Sequence, residues 1–449
     1  MIMRLCYEGL TGKVVTPCSQ EYEEARQEWN WAIQKFPIVI VYCYTIEDVS
    51  NAVCWARCHG IGIRIRSGGH HYEGYSTGDN ILVIDVSQMK LIRLNEADNT
   101  LMVQSGVTNE QLYNYVGSRG YPFPGGTCPT VGVAGYVLGG GWGYSSRYMG
   151  LGCDNLLELE MVNDQGNVLK VNEKCNPNLF WACKGAGGGN FGIVTSMTFQ
   201  LPPKTDQVTL IGLQYVNTSL STRMQFLDIW QNWLVNLDDR ITINASIYNS
   251  PDRGIGIFGK GLFYGSSVEA AQILQPFEQI QGATINVQEM TFLEAVHKIQ
   301  EVYPDSEKFQ STGRFVDRQY NMEEIKNIVE LIDQRAEGSV FATVSVSALG
   351  GKIRAVNKMD TAYYYRDAAY IISIQSVWED NQYAFLNRNW LYQKFEYLKG
   401  ITNGSYINFP YSYLIDYETN YYGENTCRLQ QINKHYDPMD VFHFPQSIR

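Results

Sequence analysis

The fold is decided by one stretch, Pro124-Gly-Gly-Thr-Cys-Pro-Thr-Val-Gly-Val-Ala-Gly-Tyr-Val-Leu-Gly-Gly-Gly-Trp-Gly143. Eleven of the 41 glycines lie between Gly120 and Gly152. This density is typical of backbone that closely approaches a large flat ligand, because glycine has no side chain to hold the ligand away. The stretch is not a Rossmann fingerprint, since it lacks a βαβ frame, and no Gly-Lys-Ser/Thr follows it as in a Walker A loop. We therefore expect a flat, phosphate-bearing ligand that is held in another way.

A second stretch, Arg66-Ser-Gly-Gly-His-His-Tyr-Glu-Gly74, directly follows a predicted strand at residues 61–66. Its two consecutive glycines let the backbone curl so that successive N–H groups form a nest for phosphate oxygens. A Gly-Gly turn alone is weak evidence for such a site. The pair His70 and His71, placed immediately after the glycines, makes a ligand-binding loop the better interpretation.

Around these stretches, the first 200 residues alternate between strands and helices. One helix begins at Thr45 with a capping-box pattern to Asp48, and another begins at Thr108 with Gln111 three residues on. Runs of β-branched and apolar residues predict strands at 38–44, 61–66, 81–86, 101–105, 157–162, 168–171 and 193–201.

The composition shifts at Leu201-Pro-Pro-Lys-Thr205, which indicates a domain boundary. Beyond it, strands are predicted at 207–215, 240–248, 254–264, 340–347 and 369–377, and helices at 222–237, 268–281 and 322–335. Strand runs punctuated by helices favour a largely antiparallel sheet. The predicted fold class of the whole chain is α+β.

Together the two glycine-containing stretches resemble those of the berberine-bridge-enzyme-like FAD-linked oxidases, which have the vanillyl-alcohol-oxidase (PCMH-type) fold. The signatures of that family are an Arg-Ser-Gly-Gly-His loop and a Cys-Pro-Thr-Val-Gly segment, and both are intact here, at 66–70 and 128–132. Further matches follow in the same order. They are Asn178-Leu-Phe-Trp-Ala-Cys-Lys-Gly-Ala-Gly-Gly-Gly-Asn-Phe-Gly-Ile-Val194, Tyr421-Tyr-Gly-Glu-Asn425, Tyr436-Asp-Pro438 and the segment 441–448.

The resemblance implies three regions. Residues 1–203 form an FAD-binding domain in two parts, with the PCMH-type region at about 36–203. Residues 204–403 form an α+β substrate-binding domain with a mainly antiparallel sheet. Residues 404–449 return to the FAD-binding domain.

The resemblance also implies that FAD is held by two covalent bonds, from His70 to the flavin 8α-methyl and from Cys128 to C6. Oxidised flavin is electrophilic at both positions, and a neutral imidazole or a thiolate can attack there. His71 is a weaker rival, because the motif places the attachment directly after Gly-Gly. The other positions expected to contact the cofactor are Arg66, Ser67, Gly68, Gly69, His71, Gly126, Val131, Gly132, Gly135, Tyr136, Gly140, Gly192, Ile193, Val194, Asn408, Tyr422 and Asn425.

Two positions after Cys128 bear on the redox chemistry. Many relatives carry His eight residues after the cysteine, where this chain has Tyr136. A phenol can donate to a developing negative charge on the flavin but cannot carry a positive charge at neutral pH. Val131 stands where a small side chain in relatives leaves room for O₂ and a bulkier one closes it. Valine favours an oxidase, and the alternative is that Val131 only packs.

Alcohol oxidation needs a base that takes the hydroxyl proton, and Tyr406 is the candidate from the family's Tyr-x-Asn segment. This role requires a pKa below the usual value of about 10, and the alternative is that Tyr406 only hydrogen-bonds flavin or substrate. Gln375 shares a strand face with Ser373, and it either orients the substrate or polarises Tyr406. An acidic residue at position 375 would support Tyr406 as a base better than glutamine does, so its absence weakens that assignment. Tyr72 and Trp142 are predicted to stack on substrate, and Ser373 to bind it.

Composition excludes several other classes of function. The net charge of −11, without a basic patch, argues against nucleic-acid binding. No stretch of about 18 apolar residues is present to span a membrane. The start, MIMRLCYEGLTGK, has no signal-peptide pattern, which predicts a cytoplasmic protein. The cysteines and histidines show no zinc spacing, and no metal site is predicted.

The predicted function is an FAD-dependent oxidase of a small molecule, which removes a hydride from an alcohol or hemiacetal to flavin N5. Sugar or oligosaccharide C1 is the favoured substrate, and O₂ is the expected acceptor, giving hydrogen peroxide. The 31 tyrosines suit a bulky polar substrate, because each offers a flat apolar body with a polar tip. One alternative is a dehydrogenase or ring-forming oxidase of a natural product. An alternative of another class is a flavin-bearing structural or coat protein.

Overall fold

The computed structural model describes residues 6–205 and 207–449, and its first sheet leads into the His70 loop. The strands of this sheet are β1 (Lys13–Val15), β2 (Val39–Tyr42), β3 (Ile63–Arg66) and β4 (Leu82–Asp85). Their order is β1-β2-β4-β3, with β2, β4 and β3 parallel and β1 antiparallel. The chain leaves the carboxyl end of β3 at Arg66 and enters the glycine loop at once.

Two helices belong to this part, α1 (Tyr22–Ala25) and α2 (Ile46–His59). The predicted capping box of α2 is confirmed, since Thr45 and Asp48 each accept a hydrogen bond from the other's backbone N–H. The helix ends at Gly60, whose φ of 64° is the left-handed conformation that glycine adopts without strain.

The second sheet is antiparallel and carries the Cys128 stretch in the connection between two of its strands. Its strands are β5 (Ile92–Asn95), β6 (Thr100–Gln104), β7 (Leu156–Val162), β8 (Val168–Asn172) and β9 (Ile193–Gln200), in the order β5-β6-β9-β7-β8. Its helices are α3 (Asn109–Gly117), α4 (Val133–Leu138), α5 (Ser146–Met149) and α6 (Pro177–Ala182), with a 3₁₀ turn at Gly152–Asn155. Cys128 lies between α3 and α4.

The third sheet has eight antiparallel strands in the order β13-β10-β12-β11-β15-β16-β14-β17. They are β10 (Gln207–Tyr215), β11 (Ile241–Ser250), β12 (Gly254–Phe263), β13 (Thr284–Thr291), β14 (Phe309–Val316), β15 (Ser339–Ala348), β16 (Tyr370–Trp378) and β17 (Asn403–Ser405). The associated helices are α7 (Leu220–Trp233), α8 (Ser267–Glu278), α9 (Phe292–Gln300), α10 (Met322–Val329), α11 (Lys352–Ala355) and α12 (Ala384–Ile401), with 3₁₀ turns at Leu234–Asn236, Glu330–Ile332 and Asn381–Tyr383.

Strand alternation gives the third sheet two different faces. On one face, Ser376 donates to Asn387 of α12 at 2.7 Å, so this face is covered by helices. On the other face, the ring of Phe309 packs against Trp29 at 5.7 Å and that of Phe315 against Tyr406 at 5.9 Å. Side chains that share this second face point toward the part of the molecule that contains His70 and Cys128.

The last segment contains α13 (Tyr417–Tyr422), a 3₁₀ turn at Gly423–Asn425 and α14 (Thr426–Tyr436). Asn433 donates to the carbonyl of Asn190 at 3.0 Å, and the Ile448 N–H donates to the Asn190 side chain at 3.0 Å. This segment therefore packs against the loop before β9.

The predicted α+β class is confirmed, with a mixed sheet, an antiparallel sheet and a large antiparallel sheet. The boundaries 1–203, 204–403 and 404–449 stay predictions. Six strands and α-helices of the third sheet region were not predicted, namely β13, β14, β17, α9, α11 and α12. Among the described residues, no helix is both long and apolar enough to cross a bilayer.

Candidate active site

The two glycine-containing stretches meet backbone to backbone. A side chain added at Gly68 would overlap the backbone of Gly132, and one added at Gly132 would overlap Ser67. Ser67 also donates to the carbonyl of Ser105 at 2.6 Å, which fixes the loop against the strand end. Glycine at both contact positions is therefore a packing requirement that brings the His70 loop onto the Cys128 segment.

His70 and Cys128 contact the same side chain, Thr130. His70 Nε2 lies 2.8 Å from Thr130 Oγ1, and Cys128 Sγ lies 3.7 Å from that same oxygen. His70 Nδ1 makes no hydrogen bond within residues 6–205 and 207–449. The imidazole and the thiol thus flank the same hydroxyl group, and one imidazole nitrogen makes no hydrogen bond within the described residues.

The environment keeps the His70 imidazole neutral. Burial lowers the pKa of His70 to about 4, and its ring stacks on Trp29 with 5.0 Å between centroids. Burial, followed by the Lys35 charge, lowers the pKa of His71 to about 3. The His71 ring lies instead against Tyr75, 4.6 Å away, and is not joined to Cys128.

Cys128 is half-buried in a setting that acts in two directions. Burial raises the pKa of its thiol, while the N–H groups of Thr130 and Val131 and the Thr130 hydroxyl lower it by binding the thiolate. Tyr303 contacts the residue before Cys128, because its hydroxyl lies 2.6 Å from Thr127 Oγ1. The thiol is therefore accessible, protonated at neutral pH, and surrounded by donors that stabilise its anion.

Arg66, the last residue of β3, faces two carboxylates of the protein. Its guanidinium is buried and pairs with Asp85, and one nitrogen lies 3.8 Å from the Glu28 carboxylate. The pair with Asp85 anchors the end of β3 to β4, while guanidinium Nη1 makes no hydrogen bond within the described residues. The cofactor role of Arg66 stays a prediction.

Most glycines of the dense segment pack against protein atoms. A Cβ would lie 2.8 Å from the Asn109 side chain at Gly126, 2.6 Å from the Tyr363 ring at Gly140, and 2.7 Å from the Tyr136 ring at Gly141. Close approach of a ligand is therefore the wrong explanation for most glycines between Gly120 and Gly152. Aromatic rings placed against bare backbone explain much of this glycine density.

A few glycines do face open space and define what we call the glycine groove. Gly135 is exposed on α4, and a Cβ there would meet nothing within 4 Å. Gly188 faces it from the loop before β9, and Gly189 is flanked at 3.7 Å by Ile65 and Phe444. The groove runs beside α4, which begins three residues after Thr130. At these three positions a Cβ would meet its neighbours at ordinary van der Waals distance or would meet nothing.

Several residues predicted to contact the cofactor are engaged by protein instead. Tyr136 donates to the Pro124 carbonyl at 2.9 Å, and Asn408 donates to the Tyr136 carbonyl at 2.9 Å. Tyr422 donates to the Ala186 carbonyl at 2.9 Å. These side chains satisfy buried carbonyl groups, which leaves them no hydrogen for a ligand.

Three further predictions need the same correction. Asn425 is buried, and its amide donates to the carbonyls of Lys358 and Thr361 at 3.1 Å. The side chains of Ile193 and Val194 lie in hydrophobic cores at the start of β9. The side chains of these three residues are occupied by protein contacts, and their backbone groups border the loop that carries Gly188. Contact between the cofactor and these backbone groups stays a prediction.

Tyr406 differs from its prediction in the state of its phenol. Its oxygen accepts hydrogen bonds from the N–H groups of Gly141 at 3.2 Å and Trp142 at 3.1 Å, and from the Asn408 amide at 3.1 Å. Burial raises the pKa of Tyr406 to about 12, although these three donors lower it. The expected pKa below 10 is wrong, and the phenol joins the last segment to the glycine-dense segment.

The two predicted stacking residues behave differently from each other. Trp142 is buried, and its indole N–H donates to the Ala348 carbonyl at 2.9 Å, so it is a packing residue. Tyr72 is half-buried, stacks on Phe409 at 5.5 Å with 5° between planes, and meets the edge of Phe309 at 5.0 Å. Only Tyr72 is therefore placed as an aromatic wall.

Gln375 and Ser373 share the face of β16 that looks toward His70, and Gln375 has an acidic partner that sequence reasoning missed. Its amide donates to Glu307 Oε2 at 3.1 Å. Burial raises the pKa of Glu307 to about 7. Glu307 belongs to the connection between α9 and β14, in no recognisable motif, and no sequence signal pointed to it.

Polar side chains continue from Gln375 across the centre of the third sheet. Cross-strand pairing puts them on one face, and two close pairs join them, Ser246 with Ser345 and Asn244 with Ser347, each at 2.7 Å. We call this surface the polar floor; it comprises Asn244, Ser246, Ser311, Thr343, Ser345, Ser347, Ser373 and Gln375. Asn244, Ser345, Ser373 and Gln375 are partly exposed, whereas Ser246, Ser311, Thr343 and Ser347 are buried. Small hydroxyl and amide groups on central strands, partly exposed on the face that points toward His70, are typical of a binding cleft.

Val131, the predicted oxygen gate, is partly buried beside Thr130 and packs against the main hydrophobic core. Its carbonyl accepts the N–H of Asn109 at 3.0 Å, which ties this turn to α3. The position beside Thr130, which contacts His70 and Cys128, fits a gate for O₂, and the contact with the hydrophobic core fits a packing role.

Comparison with known proteins places both ends of the chain in known families. The family described as FAD binding domain matches residues 37–172. The family described as berberine and berberine like matches residues 405–449.

Three known proteins match almost the whole chain. The uncharacterized FAD-linked oxidoreductase YgaK of Bacillus subtilis is 34% identical over 98% of this chain and 97% of its own length. The chitooligosaccharide oxidase of Gibberella zeae is 27% identical over 96% of this chain and 91% of its own. The solved structure of Physcomitrella patens BBE-like 1 has a TM-score of 0.89 at 26% identity, over 98% of this chain and 97% of that one.

Proposed function

Since this chain belongs to the berberine-bridge-enzyme-like FAD-linked oxidoreductases, we propose that it is an oxidase of an alcohol or hemiacetal carbon. C1 of a sugar or oligosaccharide is the favoured position, and O₂ is the favoured acceptor. When bound, FAD supplies the acceptor for a hydride and passes the electron pair to O₂, which leaves as hydrogen peroxide. The cytoplasm is the proposed compartment.

The observation that carries the proposal is the junction of His70, Thr130 and Cys128. The 8α-methyl and C6 positions lie on one ring of the flavin, so two residues that bond both must lie within reach of a single ring. The neutral His70 imidazole, with Nδ1 free, and the Cys128 thiol meet this condition through Thr130. We therefore propose bicovalent attachment at these two residues.

The glycine groove fits the rest of the cofactor. Gly135 and Gly188 present backbone without a side chain, and α4, which carries Gly135, begins three residues after Thr130. A flat ring system and an extended chain need such bare backbone, because any Cβ would hold the backbone away. The N–H groups of the loop at Gly68 and Gly69 are proposed to bind the phosphates.

The polar floor supports a carbohydrate as substrate. A sugar presents several hydroxyl groups, and each needs a hydrogen-bond partner when water is removed. Serine, threonine and amide side chains both donate and accept, so they can pair with hydroxyl groups in either sense. Tyr72 adds an aromatic face at the edge of the floor.

The alternatives are less well supported. Known relatives named as oxidoreductases and oxidases give no support to a coat-protein role. A dehydrogenase or ring-forming oxidase of a natural product would act on an apolar ring system, for which a floor of hydroxyl and amide groups is a poor match.

A substrate panel tests the proposal. Cellobiose, maltose, xylobiose and N,N′-diacetylchitobiose are mixed with the purified protein, first without oxygen to follow bleaching of the flavin, then in air to follow peroxide. At least one sugar should bleach the flavin and release peroxide in stoichiometric amount.

The variant Val131→Leu tests the acceptor in the same assay. The larger side chain should slow reoxidation much more than reduction if Val131 leaves room for O₂. Equal slowing of both steps would assign Val131 to packing, and flavin that is bleached by sugar but not reoxidised by air would contradict the oxidase.

A further inference from the structure

Oxidation of an alcohol releases a proton as well as a hydride, and the predicted proton acceptor is badly placed. The Tyr406 oxygen is enclosed by three N–H donors, and burial raises the pKa of Tyr406 to about 12. At neutral pH this phenol is protonated, with no free acceptor position. Another group is needed to take the substrate proton.

A carboxylate stands at the edge of the polar floor in a fixed position. The backbone of Glu307 is held on both sides, since its carbonyl accepts the Trp31 N–H at 2.9 Å and its N–H donates to the Trp29 carbonyl at 3.3 Å. The same Trp29 stacks on His70. Glu307 is thus coupled through one residue to the proposed flavin attachment.

Gln375 orients this carboxylate without neutralising it. The amide donates to Oε2 at 3.1 Å, and Oε1 makes no hydrogen bond within the described residues. One oxygen therefore remains to accept a proton. Gln375 itself lies on the floor, directly opposite Ser311 of β14, so the carboxylate that it binds lies at the edge of the floor.

We propose that Glu307 takes the proton of the substrate hydroxyl and that Gln375 is its positioning residue. This inference rests on the proposed function. The O–H bond of the substrate breaks and its proton moves to Glu307 Oε1, while the carbon's C–H electron pair leaves as hydride to the bound FAD. The substrate becomes a carbonyl compound or lactone, the two electrons pass on to O₂, and Glu307 returns its proton to solvent.

The electrostatic surroundings suit this task. Tyr72, on whose pKa the Glu307 charge acts, and His70, which stacks on the same Trp29 that binds Glu307, are both neutral at pH 7, since burial raises the pKa of Tyr72 and lowers that of His70. The Lys308 ammonium is bound to the Glu379 carbonyl at 2.7 Å, and Asp305 is exposed. No cation in the described part of the chain pairs with Glu307, and burial raises its pKa to about 7, which is close to the ideal for a general base at neutral pH.

The test compares Glu307→Gln, Glu307→Asp and the control Asp305→Asn, which removes an exposed charge from the same connection. Flavin reduction by the panel sugar that bleaches wild type is followed in the flavin-loaded enzyme from pH 5 to 9. The wild-type rate should rise through pH about 7 and then level. Glu307→Gln should lower the rate by roughly 10² to 10⁴ and lose this rise, Glu307→Asp should restore part of both, and the control should match wild type.

A second readout needs no substrate. A carboxylate that ionises beside the flavin should shift its absorbance spectrum through pH about 7, and Glu307→Gln should abolish that shift. Gln375→Leu should move its midpoint. If Glu307→Gln keeps both the spectral transition and a rate within a few-fold of wild type, this inference is wrong and the proposed function stands. Protein purified without flavin would overturn the proposed function and this inference with it.

Discussion

At the scale of single residues, Thr130 is the group that joins the two proposed attachment points. Thr130→Val keeps the shape of the side chain and removes the hydroxyl. One hydrogen bond contributes about 0.5–1.5 kcal/mol, so covalent flavin incorporation should slow by roughly 2- to 10-fold. In-gel flavin fluorescence against time after adding FAD to flavin-free protein measures this.

The matched control is Thr130→Ser, which keeps the hydroxyl and should incorporate flavin at the wild-type rate. Incorporation into Thr130→Val as fast as into wild type would remove Thr130 from the attachment site and leave it a surface contact.

The candidate site was predictable from sequence where a motif fixes backbone, and not where a side chain meets a distant partner. His70 and Cys128 follow glycines whose contact brings the loops together. Asn425 and Tyr422 lie in an equally clear motif, yet they bind buried carbonyl groups. The sequence does not distinguish a motif residue that faces a ligand from one that binds a buried carbonyl group, because only the fold shows its hydrogen-bond partner.

Glu307 shows the opposite limit. Glu307 lies in a connection, and its partner Gln375 is 68 positions away along the chain, on strand β16. A lone glutamate in a connection has no period or spacing to mark it. Its raised pKa arises from burial, which depends on how the third sheet packs against the segment that contains Trp29.

At the scale of elements, Tyr406 connects the last segment to the glycine-dense segment. Tyr406→Phe leaves the N–H groups of Gly141 and Trp142 buried without an acceptor. Each such loss costs about 1–3 kcal/mol, so the free energy of unfolding should fall by at least that amount. Chemical denaturation of wild type and variant measures it.

The kinetic outcome separates this view from a catalytic role. A supporting Tyr406 predicts that Tyr406→Phe lowers stability while the pH dependence of flavin reduction keeps its ionisation near pH 7. A variant of unchanged stability that loses this ionisation would restore Tyr406 as the base.

Local signals predicted some elements well and others not at all. The starts of helices α2 and α3 were predicted, because capping boxes act within four residues. Strand β14 was missed because its sequence, Phe-Gln-Ser-Thr-Gly-Arg-Phe-Val, looks polar although all eight residues are buried. Its polar groups are satisfied by distant partners, as when Arg314 donates to Ser405 at 2.8 Å.

At the scale of the whole molecule, the proposed site is assembled from separate parts of the fold. The first sheet supplies His70, the second region supplies Cys128, and the third sheet supplies the polar floor with Gln375. The last segment holds these parts together through Tyr406 and Tyr422. Sequence resemblance predicted this assembly, whereas composition and periodicity predicted only the kinds of sheet.

The central claim is that His70 and Cys128 both bond the flavin, and acid precipitation of the purified protein tests it most directly. Wild type and the control Cys54→Ala, which alters an exposed thiol on α2, should remain yellow after precipitation. His70→Ala and Cys128→Ala should each keep flavin through the remaining bond, and the double variant should release all of it as free FAD. If wild-type protein loses all its flavin on acid precipitation, neither bond exists and the account is contradicted.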